Sequence, residues 1–338
     1  MGLRVGIIGL GIMGADHAKI IYNKTLNVSI TAIYDRDITK SKKISKFINK
    51  DVEIKNNPID LINSNNVDCI LIASPNETHA DYTLECIKKR KFVLCEKPLS
   101  PNIKDCNKII EAEIKLGKKL VQVGFMRRFD SSYNIMKENY QSRKFGKALL
   151  FHCIHRSLSP QNFFESKMSI TNSLVHEFDI SRWLLETEIT ELQIIKSNVR
   201  KDISFIDPIM AIIKCRNGVI IDVECNQNSN YGYDVRAELL CEKGSIIMNP
   251  HRNNELLQST KHIFNYPKDW RPRFADAYRD QNQSWINSII NDSNFTGASS
   301  WDGMMATKNA EAGIKSLRSG KSILISSIKT PQLYKKNI

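Results

Sequence analysis

The first third of the chain alternates between two hydrophobic patterns. Short apolar runs rich in β-branched residues are typical of strands buried on both faces, and they occur at residues 4–8, 28–34, 67–73, 91–95 and 119–123. Amphipathic stretches with helical spacing lie between them, for example residues 79–89 and 103–116. Gly117 follows the second stretch, and glycine is favoured just after the end of a helix. This order predicts a parallel sheet with helices on both faces, the doubly wound Rossmann arrangement.

The pattern changes after about residue 125, where strands follow one another directly. They are predicted at residues 148–155, 189–199, 208–215, 219–225, 235–241 and 245–249. Asn217-Gly218 and Lys243-Gly244 lie between such runs and predict tight turns, the first a hairpin. Helices are predicted at residues 174–185, 273–290 and 302–319.

Two domains follow from this change of pattern. We predict an α/β protein with a doubly wound Rossmann domain over residues 1–124 and a second domain over residues 125–338. This second domain is of the α+β class, and its mostly antiparallel sheet has one open face. The length of 338 residues agrees with two domains, because a single core rarely grows past roughly 250–300 residues.

Charge and hydropathy narrow the choice of partners. The 49 Lys and Arg residues against 36 Asp and Glu give a net charge of +13, but the basic residues are scattered along the chain. Scattered lysines are typical of a solvated surface, so we expect no nucleic-acid partner. No apolar run approaches the roughly 20 residues that span a bilayer, and the first residues run straight into a strand without the features of a signal peptide. We therefore expect a cytoplasmic protein with no membrane partner.

The cysteines and histidines do not indicate a metal site. The eight cysteines form no CxxC pair, and several lie inside apolar strand-like runs. Buried free thiols in a reducing compartment account for this pattern. His176-Glu177 begins like the HExxH zinc motif, but residue 180 is Ile, so the second ligand is missing. We expect no metal.

A nucleotide-binding motif follows the first predicted strand. Gly9, Gly11 and Gly14 form GxGxxG between a strand and a helix, where glycines allow a tight turn and a close approach to a pyrophosphate. Asp35 ends the second strand, 21 residues beyond Gly14, and a carboxylate there can bind both ribose hydroxyls of NAD and repel the 2′-phosphate of NADP. Arg36 can pair with such a phosphate, which weakens this discrimination. FAD and SAM domains share parts of the signal.

Two further segments carry candidate catalytic groups. Glu96-Lys97-Pro98 ends the fifth strand, at the edge where open α/β sheets bind ligands, and Pro98 could follow a cis bond. A charged turn is the alternative. On a helix, Asn172, His176 and Asp179 share one face, so Asp179 could orient His176 as a general base. An exposed ion pair is the alternative there, but Trp183 one turn later favours burial.

These motifs resemble the family of glucose–fructose oxidoreductase and inositol 2-dehydrogenase. The resemblance rests on residues 9–14, on Glu96-Lys97-Pro98 and on the pair of His176 and Asp179. Longer stretches, at residues 113–133, 174–184, 231–235 and 300–306, are similar to the bacterial inositol 2-dehydrogenases in particular. The resemblance covers essentially the whole chain.

The resemblance implies an NAD-dependent oxidation of a ring CH–OH to a ketone in a homotetramer. Residues 1–124 would be the NAD-binding Rossmann domain, and residues 125–338 the substrate-binding and oligomerisation domain. His176 would be the general base, Asp179 its support, and Lys97 the group that bonds the developing alkoxide or relays its proton. The polyol pocket would be lined by Met126, Arg127, His155, Asn172, Ser173 and Tyr233. The dinucleotide would be bound by Gly9, Gly11, Ile12, Met13, Gly14, Asp35, Arg36, Ser74, Asn76, His79, Glu96 and Lys97, with Trp270 and Arg273 near the nicotinamide end.

Two positions depart from the inositol enzymes and keep other functions open. Asn172 stands where those enzymes usually carry Asp, and Ser74-Pro75-Asn76 stands where they often have Trp. The first change bears on the substrate. A related hexose or hexose phosphate dehydrogenase is one alternative, which the net positive charge mildly favours. A non-catalytic NAD-binding sensor is the other, although intact Lys97, His176 and Asp179 argue against it.

Overall fold

The computed structural model describes residues 2–48, 51–160, 163–200, 202–248, 256–263 and 265–335. The strands are β1 (Leu3–Ile8), β2 (Val28–Tyr34), β3 (Glu53–Ile54), β4 (Cys69–Ile72), β5 (Phe92–Cys95), β6 (Val121–Val123), β7 (Ala148–Arg156), β8 (Ile189–Lys196), β9 (Ile209–Cys215), β10 (Ile220–Asn226), β11 (Asp234–Cys241), β12 (Gly244–Ile247), β13 (Leu256–Gln258), β14 (Lys261–Ile263), β15 (Ala298–Ser299) and β16 (Ile323–Leu324). The helices are α1 (Ile12–Lys24), α2 (Ile38–Ile48), α3 (Pro58–Asn63), α4 (His79–Lys88), α5 (Ile103–Leu116), α6 (Ser131–Gln141), α7 (Val175–Leu185), α8 (Trp270–Arg273), α9 (Ala275–Ile290) and α10 (Ser300–Ser319).

The first sheet has the Rossmann topology that the alternating pattern predicts. Its strand order is β15-β6-β5-β4-β1-β2-β3, and every pair is parallel except β15 with β6. Successive residues such as Ile7 and Ile8 on β1 are both fully buried, because helices cover both faces. The carboxyl ends of β1, β4 and β5 therefore lie side by side at one edge.

The second sheet is mostly antiparallel, as predicted. Its order is β12-β11-β7-β10-β9-β8-β16, with one parallel pair, β7 with β10. Asn217-Gly218 turns the hairpin of β9 and β10, and Gly218 has a φ of +89° that suits glycine. One face is packed by buried residues such as Phe151, while Ile195 and Met210, which pair across β8 and β9, are exposed on the other face. The open face of the prediction is therefore present.

The chain divides into two compact units that are discontinuous in sequence. Unit 1 comprises Met1–Phe129, Asp276–Thr307 and Lys329–Ile338, and unit 2 comprises Asp130–Ala275 and Lys308–Ile328. This differs from consecutive domains over 1–124 and 125–338, because late segments return to the first sheet. Trp285 of α9 is fully buried in the same hydrophobic cluster as β1.

Within unit 1, the buried carboxylate of Glu113 bonds Tyr334 of the last described segment. Glu113 on α5 accepts hydrogen bonds from the Val121 amide at 2.9 Å, from the Tyr334 hydroxyl at 2.7 Å and from the Ser300 hydroxyl. Burial raises the pKa of Glu113, and these donors act in the opposite direction by stabilising the charged form. Tyr334 comes more than two hundred residues after Glu113, so local pattern gives no sign of this contact.

Several element boundaries differ from the predicted ones. Helices α2, α3 and α6 were not among the predicted elements. Ser169–Leu174 forms a π-helical turn, so α7 begins only at Val175. Strand β8 ends at Lys196, and the predicted strand over 245–249 becomes β12, with residue 249 outside the described residues. Most other bounds differ from the prediction by one or two residues, the ordinary uncertainty of helix and strand ends.

The eight cysteines are buried free thiols, as the pattern predicted. Burial raises the pKa of the Cys69 and Cys95 thiols, which keeps them protonated and inert. Within the described ranges, no helix is long and apolar enough to cross a membrane. The same ranges contain no cluster of three or more His, Cys, Asp or Glu side chains that could hold a metal ion.

Candidate active site

The three glycines of the loop after β1 lie in different surroundings. A Cβ on Gly9 would lie 2.5 Å from the Ser74 amide nitrogen, and Gly9 has a φ of +89°. A Cβ on Gly14 would lie 1.9 Å from the Gly9 carbonyl oxygen, so helix α1 can pack here only on glycine. A Cβ on Gly11 would meet nothing within 4 Å. Gly11 therefore borders open space at the N-terminus of α1, where backbone N–H groups can bind a phosphate.

Asp35 lies directly after β2 and is held against this loop. Its Oδ2 accepts the Leu10 N–H at 2.6 Å, and its Oδ1 accepts the Asp37 N–H at 2.8 Å. The Lys40 ammonium lies 3.9 Å from the same carboxylate. The open space at Gly11, a first turn of α1 without acidic residues and an adjacent oriented carboxylate fit the diphosphate and ribose of a dinucleotide. Ile12 and Arg36 are exposed beside this loop, and Met13 is half-buried.

His79 connects the loops that follow β4 and β5. Its Nε2 lies 2.9 Å from the Ser74 carbonyl oxygen, and its Nδ1 lies 2.7 Å from the Pro98 carbonyl oxygen. Burial lowers the pKa of His79. Ser74 also shares a hydrogen bond of 2.7 Å with the Thr78 hydroxyl, next to Asn76. Both ring nitrogens of His79 therefore contact backbone carbonyl oxygens, so this residue holds the loops after β4 and β5 together.

Glu96 is bonded to a histidine that the sequence analysis missed. Its Oε1 lies 2.8 Å from His17 Nε2, and its Oε2 accepts the Lys97 N–H at 3.1 Å. The other ring nitrogen of His17 lies 3.2 Å from the Asn282 side-chain oxygen. His17 is fully buried, and the Lys97–Pro98 bond is cis. The backbone that carries Lys97 is thus held by α1 and α9. A histidine on the first helix was the only sequence signal.

Two residues predicted to line the polyol pocket follow β6 in unit 1. Met126 and Arg127 belong to the short helical turn Met126–Phe129, and both are buried. The next residue, Arg128, lies 3.3 Å from the Asp302 carboxylate. Burial of an arginine as complete as that of Arg127, 1% exposed, is unusual for a group with no structural or functional role.

Unit 2 gathers three of the predicted residues into one aromatic cluster. The His155 ring centroid lies 6.4 Å from that of His176 and 5.8 Å from that of Tyr233. Phe274 packs edge-on against Tyr233 at 6.3 Å. His155 lies near the end of β7, Tyr233 precedes β11, and His176 lies in the first turn of α7. Neighbouring sheet strands and one helix thus bring together side chains far apart in sequence.

Residues 176–179 contain a buried carboxylate, Glu177, to which the sequence analysis assigned no role. His155 Nδ1 lies 3.1 Å and 3.2 Å from the two carboxylate oxygens of Glu177. Both side chains are almost fully buried. Asp179 is also buried on α7, three residues after His176, so the predicted spacing is present on a helix. The base-and-support pairing of His176 with Asp179 stays a prediction.

Asn172 and Ser173 lie on the π-helical turn that precedes α7. Asn172 is exposed, and its side-chain oxygen accepts a hydrogen bond from the Thr171 hydroxyl at 3.1 Å. Ser173 is buried and accepts one from the Gln227 side chain at 3.0 Å. The prediction used α-helical spacing from residue 172 onwards, which does not apply before Val175. Single π-helical turns are frequent at functional sites.

Trp270 and Arg273 both belong to the short helix α8. The Arg271 guanidinium lies 5.9 Å from the Trp270 ring centroid. Arg273 donates to the Asp130 carboxylate at 2.7 Å, where Asp130 also caps α6. The charge of Arg273 is thus balanced within unit 2, and its guanidinium lies over the Phe274 ring at 4.5 Å.

Comparison with known proteins decides the family. Residues 3–125 match the model described as an oxidoreductase family with an NAD-binding Rossmann fold, and residues 133–247 match the GFO/IDH/MocA C-terminal domain. The chain is 35% identical over 336 residues to inositol 2-dehydrogenase 1 of Saccharopolyspora erythraea, covering 99% of both chains. The chain belongs to the GFO/IDH/MocA oxidoreductase family.

Further GFO/IDH/MocA proteins are similar over the full length. Inositol 2-dehydrogenase/D-chiro-inositol 3-dehydrogenase of Shouchella clausii is 34% identical over 99% of this chain and 97% of its own. The crystal structure of myo-inositol dehydrogenase from Lactobacillus casei, in complex with NAD(H) and myo-inositol, superposes with a TM-score of 0.95. Its identity is 27%, over 99% of this chain and 100% of that one. The predicted fold class is confirmed.

Family membership also establishes the class of chemistry. This GFO/IDH/MocA chain is an NAD-dependent dehydrogenase, and residues 3–125 carry its NAD-binding Rossmann fold. The loop geometry at Gly11 and Asp35 fits that cofactor.

We expect Asp35 to determine the preference for NAD over NADP. Asp35→Ala should weaken NADH binding by roughly tenfold to a hundredfold, because a hydrogen bond to a charged group contributes about 1.5–3 kcal/mol. It should also reduce the preference for NAD over NADP, because the variant no longer repels the 2′-phosphate of NADP. Fluorescence titration of NADH and NADPH measures the binding, and kcat/KM for the two oxidised cofactors measures the preference.

The neighbouring carboxylate provides the control for this test. Asp37→Ala removes an exposed charge two residues away whose Oδ1 accepts from Thr39, so it should leave the NADH affinity within about twofold. Equal kcat/KM for NAD and NADP in the unmodified protein would contradict the role of Asp35.

Proposed function

We propose that this chain oxidises a ring secondary alcohol of a cyclitol, such as myo-inositol to 2-keto-inositol or the same reaction on a close isomer. The cluster of His155, His176 and Tyr233 carries this proposal, because these polar rings can each bond to a hydroxyl of a polyol. Relatives of full length that are named inositol 2-dehydrogenase support the same substrate class.

The proposed chemistry assigns one role to each catalytic residue. His176 would accept the proton of the hydroxyl that is oxidised, and Asp179 would support the resulting imidazolium. Lys97 would donate a hydrogen bond to the developing alkoxide or relay its proton. Bound NAD supplies the acceptor for the hydride. The contacts of Glu96 with His17 and with the Lys97 amide would keep the lysine backbone in one position during turnover.

A substrate screen followed by NADH absorbance tests the proposal. The panel contains inositol isomers, hexoses and hexose phosphates, and we expect the highest kcat/KM on an inositol. A higher value on a hexose or its phosphate would instead support the related sugar dehydrogenase. If NADH binds but no compound of the panel is oxidised, the proposed substrate class is wrong. Protein with Lys97→Met serves as the blank for background reduction.

Asn172 provides a sharper test of the substrate. Asn172→Asp introduces a carboxylate that can accept a hydrogen bond from a substrate hydroxyl, and it adds a negative charge four residues before the proposed base. If the substrate is myo-inositol, the variant should raise kcat/KM roughly tenfold to a hundredfold, because such a bond contributes about 1.5–3 kcal/mol. If Asn172 matches a different ring, activity on that ring should fall. An unchanged profile across the panel would mean that residue 172 does not contact substrate.

We also propose that the chain works as a cytoplasmic homotetramer. Exposed apolar side chains on the open face of the second sheet, including Ile195, Met210 and Ile220, support this, since large exposed apolar faces favour association. The free buried thiols fit a reducing compartment. Sedimentation velocity measures the mass in solution, and four chains are expected.

A further inference from the structure

Glu177 is a buried carboxylate to which the proposed chemistry gives no role. It is 1% exposed, and its two oxygens lie 3.1 Å and 3.2 Å from Nδ1 of His155. A carboxylate removed from water is costly unless donors surround it. An ionised Glu177 can only accept, so a hydrogen bond at this distance then uses a proton on His155 Nδ1.

The backbone on both sides of this pair is rigidly held. His155 lies on β7 between two neighbouring strands, opposite Cys225 of β10 and Val235 of β11. Glu177 lies in the first turn of α7. The remaining freedom of His155 is rotation of its ring, which the carboxylate restrains on one side and the Tyr233 ring, at 5.8 Å, restrains on another.

We propose that Glu177 is a positioning residue that fixes the tautomer and orientation of His155 for substrate binding. With Nδ1 committed to Glu177, a substrate hydroxyl that approaches the ring bonds to Nε2. The inference rests on the proposed function in one respect, that His155 contacts the polyol. Carboxylates orient metal-binding histidines in the same way through the opposite ring nitrogen.

The position of Glu177 next to the proposed base separates the two roles. Consecutive helical residues point about 100° apart, so Glu177 and His176 project in different directions from α7. Glu177 is therefore expected to act on binding more than on proton transfer. A hydrogen bond made equally in the ground state and in the transition state changes KM and leaves kcat nearly constant.

A double-mutant cycle tests this assignment. Glu177→Gln keeps the shape of the side chain but loses its charge, and we expect the KM for the polyol to rise about tenfold with kcat within about threefold. In a His155→Gln background the same change should have almost no further effect, because the two residues act as one unit. Additive effects, an unchanged KM or a fall confined to kcat would each overturn the proposal.

Two further variants test whether a raised KM comes specifically from the charge of Glu177. Glu188→Gln removes a carboxylate that bonds Arg182, a residue on the same helix as Glu177. The KM of this variant for the polyol should stay unchanged. Glu177→Asp keeps the charge at a shorter reach and should give a KM between those of the unmodified protein and Glu177→Gln. Thermal unfolding followed by circular dichroism reports whether each variant folds, because Glu177 and Glu188 both lie in unit 2, whereas the glycine-rich loop belongs to unit 1. A KM for Glu177→Asp as high as that for Glu177→Gln would overturn the role of the charge.

A spectroscopic measurement separates this proposal from the proposed function. Nitrogen-15 spectra of labelled protein report which histidine nitrogens carry protons, with His155→Gln identifying the signal. We expect a protonated Nδ1 on His155 in the absence of any substrate. That result together with no polyol oxidation would reject the proposed function and retain the pairing. An unprotonated Nδ1 would reject the pairing, even in an active enzyme.

Discussion

Replacing Lys97 with methionine is expected to lower kcat by roughly 10²–10⁴-fold, the usual loss when a group that transfers or stabilises a proton is removed. NADH affinity should stay within about threefold, because methionine preserves the length and most of the volume of the side chain. Steady-state kinetics and fluorescence titration of the same preparation measure the two quantities. This separation identifies Lys97 as a catalytic residue.

The structure provides the reason for expecting intact cofactor binding in Lys97→Met. The loop after β5 is held by Glu96, by His17 and by the contact of His79 with the Pro98 carbonyl oxygen, and none of these involves the Lys97 side chain atoms. Lys104→Met, an exposed change on α5, should leave both quantities unchanged. If NADH no longer binds to Lys97→Met, the lysine is mainly a cofactor or structural residue.

The second large effect is expected at His176. His176→Ala should lower kcat/KM for oxidation by roughly 10²–10⁴-fold because the hydroxyl proton loses its acceptor. In the unmodified enzyme kcat/KM should rise with pH, since the ring accepts a proton only after losing its own. The pH profile of the variant should lack this rise. A profile with the same shape as that of the unmodified protein would show that another group is the base.

Asp179→Asn supplies a graded version of this experiment. A neighbouring carboxylate favours the protonated form of an imidazole. Its removal should therefore shift the rise of kcat/KM to lower pH and reduce the plateau, while NADH affinity stays constant. An unshifted rise would mean that Asp179 has a packing role on α7 and does not act on His176.

Much of the fold and half of the candidate site can be predicted from local sequence. The β-branched runs specify strands that match β2 over Val28–Tyr34, and the helical spacing with a terminal Gly117 specifies α5 over Ile103–Leu116. The sequence also predicts the motif of Gly9, Gly14 and Asp35, because a tight turn between a strand and a helix requires particular residue types at fixed positions. The sequence analysis did not locate α3, which has only six residues, or α6.

The positions of the supporting residues depend on contacts between distant parts of the chain. The sequence by itself determined strand and helix order, the hairpin at Asn217-Gly218 and the dinucleotide motif, since each follows from backbone geometry over a few residues. Only the tertiary structure decided that residues 276–307 and 329–338 belong to unit 1, that His17 bonds Glu96, and that Glu177 bonds His155. The physical reason is that a buried charge takes whichever donor the packing brings within about 3 Å, and sequence spacing carries no record of that distance.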